Sequence, residues 1–327
     1  MINKDSVKNL LNSTPASMTI VLIILFAVAS IFSPYFFATG NLTSLIRDLA
    51  FIGIIAIAQS LVMLVGDLDL SVGKIAALSG VLGGILMVDN SIDPYVSLII
   101  IIIAGGVLGL INGLLTTLLN LNAIIVTIGM TGVYGGATLI LTKGVAITGI
   151  PSEISFLGKG ILFGIPVPSI IMLLILILFI ILLKRTRFGR HIYAVGNNVE
   201  AAKILGIKVN LVRTTLFTFV GVLSAIAGLI MLARLGSAQP GVGDTWQLNS
   251  IAAAVIGGVA LTGGVGNPYG AVVGAAIITI IENIIVLFGI SSYWQSAVSG
   301  VIVILAISYQ SISVMLNKRK EYTEKLE

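Results

Sequence analysis

Asp67, Asp69, Lys74 and Glu282 are the ionisable residues whose settings ask for chemistry, because each lies in or beside a long apolar run. A charge held at the centre of a bilayer costs about 2.5 to 3.5 kcal/mol on insertion scales, so each needs a partner, water or an interface position. Asp67, Asp69 and Lys74 fall together in "GDLDLSVGK", and Glu282-Asn283 interrupts "AAIITIIENIIVLFG". Two placements stay open for the aspartates. The first expectation is the cytoplasmic interface of the membrane, with Lys74 one or two turns on and able to pair with them. The other is a broken helix that presents carboxylates and freed backbone groups to a water-filled path. Gln59, Asn112, Thr127, Asn249 and Asn283 join Asp67, Asp69 and Glu282 as candidates to line such a path, although polar side chains of this kind also bond neighbouring helices.

The elements that must hold these residues are apolar. With 57% hydrophobic and 9% charged residues among 327, and a mean hydropathy of +1.13, the chain lacks the polar surface of a soluble globule. Runs of spanning length lie near 18–36, 45–65, 72–88, 96–119, 123–142, 166–184, 212–234, 247–263, 269–288 and 294–315. The expected fold is an all-α polytopic membrane protein of about ten helices, one transmembrane domain over residues 1–327. Ala27-Val28-Ala29 has the look of a cleavage site, but the run around it is of spanning length and reads as a retained anchor. The net charge of +5 is held in short clusters between apolar runs, which signals topology and not nucleic-acid binding. Lys4 and Lys8, the cluster from Lys184 to Arg213, and Lys318 to Lys325 fall on one side when ten spans are counted. Both termini are then cytoplasmic, with a cytoplasmic loop at about 185–212 and an external loop at about 143–165, the latter with room for a short interfacial helix. The 37 glycines permit close helix packing and local backbone breaks. Gly66–Gly73 and Gly257–Gly264 look alike, a hint of internal duplication.

The stretch from Tyr193 to Arg213 is a polar island in this apolar chain. Asn197 or Asn198 can cap a short helix there, Glu200 suits its first turn, and Gly206 suits a left-handed stop, which predicts two turns from Val199 to Leu205. Ile207 can fold back on the last turn. Ala201 and Ala202, flanked by Glu200 and Lys203, would let this helix approach another surface closely; a merely solvated loop is the plain alternative.

Glu200-Ala201-Ala202, three residues and then Gly206 resemble the E-A-A-x-x-x-G loop of ABC transporter permeases. "GDLDLSVGKIAALSG" and "IAAAVIGGVALTGGVGNPYGAVVGA" resemble the two glycine-rich segments of the ribose-type sugar permeases, and "NGLL" at Asn112 and "IVTIGM" at Ile125 fit the same family. Two departures stand out: Asp67 occupies a position where that family often has a second glycine, and Ala123-Ile124 one where it often has proline-phenylalanine. The resemblance implies a permease in the inner membrane of a bacterial-type cell. It implies that Glu200, Ala201, Ala202, Lys203 and Gly206 meet a separate ATPase subunit, which holds ATP and Mg. It further implies an extracytoplasmic solute-binding protein, a second permease copy, most simply identical, and a monosaccharide or similar small polar solute.

No G-x-x-x-x-G-K-[ST] loop occurs, so the chain carries no phosphate cradle of that kind, and no cofactor is expected in it. The single histidine, His191, lies in the basic cluster, and no cysteine, H-E-x-x-H or G-x-S-x-G is present, which argues against an intramembrane enzyme. Two other readings remain open. One is a self-sufficient ion-coupled carrier or channel in which Asp67, Asp69 and Glu282 bind the ion; the other is a scaffold subunit that moves no solute.

Overall fold

A computed structural model of the chain describes residues 14–291, 294–295, 297–305 and 307–308. Helices α1 (Thr14–Phe32), α2 (Thr39–Met63), α3 (Val72–Gly84, continued by a π turn, Ile85–Asp89), α4 (Pro94–Leu118) and α5 (Ala123–Thr142) come first. A segment with strand β1 (Ile147–Thr148), short helix α6 (Ser155–Lys159) and strands β2 (Ile161–Leu162) and β3 (Ile165–Pro166) leads to α7 (Val167–Arg185). Then come α8 (Arg187–Asn197), α9 (Val199–Ile204), α10 (Val209–Leu235), strand β4 (Ser237–Ala238), α11 (Trp246–Ile256) and α12 (Pro268–Leu287).

Seven of these, α2, α3 with its π turn, α4, α5, α7, α10 and α12, are long and apolar enough to cross a membrane. Helix α1 carries a shorter apolar stretch, Met18–Ile31. The run at 247–263 is helical only over Trp246–Ile256. At 1.5 Å per residue α11 is long enough for about half of a ~30 Å hydrocarbon core; glycine-rich, non-helical backbone follows it at 257–267. The run at 294–315 is helical where described, and its end, like both termini, lies outside the described residues.

Helix starts follow local chemistry. Asp93 caps α4 by accepting from the Tyr95 and Val96 amides (2.9 and 3.1 Å), with Pro94 at the first helical position. Asn267 does the same for α12, accepting from Gly270 N ahead of Pro268. Helix α2 is the axis of the molecule: every residue from Ala50 to Val65 is buried, and α7, α10, α11 and α12 pack round it.

Helix α4 shows how lipid and protein divide a helix. Ile99, Ile103, Val107, Leu110, Leu114 and Leu118 are exposed along one face, whereas Ile101, Gly105, Gly109, Asn112 and Gly113 are buried on the other. Gly105, Gly109 and Gly113 at spacing four lie directly on α10; a methyl at Gly109 would meet the Phe217 carbonyl and Gly221, and one at Gly113 the Thr214 backbone. Because lipid tails are as apolar as leucine, close backbone approach supplies the packing that burial from water supplies elsewhere.

The segment at 143–165 holds a short helix, as expected, and also two small antiparallel strand pairs. One pairs Ile147 with Ala238, tying this segment to the far end of α10; the other is the hairpin of β2 and β3. It lies at the end of the bundle opposite the basic loops.

Candidate functional site

The polar island folds as two helices joined at one cap. Asn198, and not Asn197, caps α9 by accepting from Ala201 N (3.0 Å), and Lys203 pairs with Glu200 (2.8 Å). Gly206 takes φ +76°. Its amide donates to Lys203 O (2.9 Å) and the Ile207 amide reaches back to Ala202 O (3.0 Å), which closes the helix with a Schellman turn. The helix ends one residue earlier than its sequence predicts. Its orientation is informative: Ala202 is buried against this chain, whereas Ile204 and Leu205 are 86% and 76% exposed. Glu200, Ala201 and Lys203 are also exposed. The face turned outward therefore adds the aliphatic pair to Glu200, Ala201 and Lys203, and Ala202 seats the helix.

Helix α8 carries α9 on the rest of the molecule. Ile192 and Val195 are buried beneath it. Gly196 touches Leu64 O and Gly264, so any side chain there would drive α8 off both segments. The Tyr193 hydroxyl donates to Gly266 O (2.9 Å); burial pushes its phenol above the ordinary value, which keeps the proton in this bond. Leu64 O in turn accepts from Gly264 N (2.9 Å), joining the two glycine-rich segments that look alike in sequence. They end their helices alike as well. Gly66 (φ +81°) stops α2 and Gly258 (φ +86°) stops α11, each followed by an amide reaching back five residues, Asp67 N to Val62 O and Val259 N to Ala254 O. The structural equivalence sets Gly66 beside Gly258, one residue along from the sequence match.

Four of the predicted path residues meet at the break between α2 and α3. Asp69 is fully buried; its Oδ1 accepts from Ser71 N (2.8 Å) and Ser71 Oγ (2.6 Å), and its Oδ2 from Asn112 Nδ2 (3.3 Å). Asn112 also donates to Ser71 Oγ (2.8 Å) and accepts from the Tyr134 hydroxyl (3.0 Å). In the amide orientation that satisfies its surroundings, Gln59 bonds the Asp69 backbone at both N and O (3.3 and 3.0 Å). Thr127 donates to Leu68 O and Ala123 O. This set is a clamp that pairs the backbone groups a broken helix sets free.

Asp67 does not pair with Lys74. Arg213 Nε and Nη2 grip both its carboxylate oxygens at 2.7 Å, and Lys74 pairs with Asp244 (2.6 Å). The break turns α3 away from Asp67, so the sequence neighbour is out of reach.

Asn249, Glu282 and Asn283 gather elsewhere, round a cavity of about 460 Å³ between α2, α10, α11 and α12 whose walls include Asn41, Asp48, Phe51, Trp246, Glu282 and Asn283. Asn249 donates to Glu282 Oε1 (2.9 Å), and Asn41 and Asn283 exchange amide bonds (3.2 and 2.8 Å). Trp246 stacks on Phe51, and Arg234 lies over the Phe51 ring while pairing with Asp48. The cavity sits toward the first half of α2, away from the basic loops. Asp48 and Arg234 were not singled out from sequence. Asp48 breaks an apolar run as Glu282 does, and that signal could have found it; Arg234 ends its run and looks like an interface residue.

A family model described as branched-chain amino acid transport system / permease component matches residues 41–307. The chain is 42% identical over 288 residues to the ribose import permease protein of Bacillus subtilis (strain 168), covering 88% of this chain and 89% of that protein. It is 34% identical to the ribose import permease protein of Escherichia coli (strain K12), over 88% and 91% of the two chains. It is 33% identical to an autoinducer 2 import system permease protein of Yersinia pseudotuberculosis, over 90% and 83%. No solved structure matches. The match across α2 to α12, with the capped α9 helix and the two glycine-rich breaks inside it, places this chain in the branched-chain amino acid transport system / permease component family.

Proposed function

We propose that this chain is the membrane-spanning permease subunit of an ATP-driven importer for a monosaccharide of the ribose kind or a similar small polar solute. The observation that carries the reading is α9, a capped and pinned helix that turns Ile204 and Leu205 outward from a basic loop. Exposed aliphatic anchors on a rigid element are what a partner's groove takes up. The partner is a separate ATPase subunit, which binds ATP and Mg; the basic end of the bundle is cytoplasmic, and the chain has both termini there and about ten spans in one domain. A second copy completes the path, and an extracytoplasmic binding protein delivers solute at the opposite end, where the cavity with Asp48, Trp246, Glu282 and Asn283 lies. Carboxylate and amide acceptors beside a flat aromatic face suit a sugar, which offers hydroxyl donors and an apolar C–H face.

The ion-coupled carrier reading loses its footing in the geometry, since Asp67 is engaged by Arg213, Asp69 by Ser71 and Asn112, and Glu282 sits in a different neighbourhood. The docking claim is tested by affinity-purifying the permease from its host. An ATPase is expected to co-purify with the parent, and its affinity to fall about thirtyfold in Ile204→Asp/Leu205→Asp, as for the loss of an interface anchor. An undiminished complex would sink the docking assignment.

A further inference from the structure

Asp67 is a buried carboxylate beside the helix break, and neither the docking helix nor the polar cavity accounts for it. We infer that the Asp67–Arg213 ion pair is the strut through which a displacement of α9 reaches the helix break at residues 64–71. The inference rests on the reading of α9 as the ATPase-docking helix.

Both flanks of α9 reach the same break. On the amino-terminal flank, α8 bears on Leu64 O through Gly196 and bonds Gly266 through Tyr193. The Gly196 contact is steric, so it transmits compression and not tension, and the Tyr193 bond acts on the other glycine-rich segment. On the carboxyl-terminal flank, the Schellman turn at Gly206 leads into α10, whose first turn is already hydrogen-bonded at Val212 N to Lys208 O (3.1 Å). Arg213 follows immediately on this rigid piece. Its planar fork meets both oxygens of Asp67 at 2.7 Å, which fixes distance and orientation together and resists separation as well as approach. Among the described residues, these two bonds are the hydrogen bonds that reach 64–71 from α8, α9 or α10.

The far end of the strut is as well anchored. The Asp67 side chain is 8% exposed and that of Arg213 21%, so water competes little for the pair. Asp67 follows Gly66, the left-handed pivot that ends α2, and precedes by two residues the Asp69 clamp that starts α3. Gly73, at that start, packs against Gly243 just ahead of α11. A pull on Asp67 therefore acts between a pivot and a clamp, and the half-helix beyond leads toward Trp246 on the cavity wall.

Amide hydrogen exchange in the purified permease–ATPase complex, with and without ATP plus vanadate, tests this directly. In the parent, nucleotide trapping is expected to change exchange at both 199–208 and 64–71, the latter about tenfold or more. Asp67→Asn is expected to keep the ATPase bound and the response at 199–208 while losing that at 64–71; Asp67→Arg/Arg213→Asp restores it. Should Asp67→Asn fail to assemble, Arg213→Lys decides the matter, because it keeps the charge and loses the fork, with a smaller response expected at 64–71. A response at 64–71 that is absent in the parent, or unchanged in the first variant to assemble, overturns the strut and leaves docking intact. A parent that binds no ATPase overturns the docking reading and the strut with it.

Discussion

Asp69 at the break has both carboxylate oxygens engaged, Oδ1 by Ser71 and Oδ2 by Asn112, and the polar residues round it have little freedom left to meet a solute. Asn112 serves Asp69, Ser71 and Tyr134 at once. Asn112→Ala leaves the buried Asp69 carboxylate and the Ser71 hydroxyl each short of a donor, while the Tyr134 hydroxyl keeps its bond to Leu108 O (2.9 Å), so it is expected to cost about 2 kcal/mol of stability, read as thermal denaturation in detergent; a variant as stable as its parent contradicts the clamp. Polar residues in apolar runs were legible in sequence one by one, because each is expensive in lipid. Their sorting was not. Gln59, Asp69, Asn112 and Thr127 joined one cluster and Asn249, Glu282 and Asn283 another because a broken helix redirects side chains in a way no linear spacing records. The same redirection exchanged Lys74 for Arg213 as the partner of Asp67.

At the scale of elements, the seven helices of spanning length were legible to within a few residues, except that α2 starts at Thr39, six residues ahead of its apolar run, since length against bilayer thickness is a strong constraint. The passage at 247–263 was not, for glycine-rich backbone is as apolar as helix but ends at Gly258 in a left-handed turn. Helix α9 was legible almost residue by residue, because cap, first-turn acid and glycine stop are local; the direction of its face was set by α8 beneath it. Packing of α4 on α10 depends on glycines at spacing four. Gly109→Leu would force these backbones apart, with an expected loss of about 3 kcal/mol by overpacking, seen as a fall in monodisperse protein after extraction. Gly129→Leu on α5, where nothing lies within 4 Å of an added methyl, is the matched control and should be tolerated.

On the scale of the whole molecule, a helical loop at the basic end is joined through two glycine-rich breaks to a cavity lined by acidic, amide and aromatic side chains toward the opposite end. That continuity is what an importer driven from the cytoplasm requires: force applied at α9 must alter a path far from it. The decisive measurement is uptake of labelled D-ribose into proteoliposomes, with the permease alone, with its ATPase and binding protein, and with Ile204→Asp/Leu205→Asp in the same assembly. Uptake that needs ATPase and ATP, and that drops to background in the variant while the permease stays folded, is the result predicted here. Full-rate uptake by the permease alone, sustained by an ion gradient and indifferent to the variant, would contradict it.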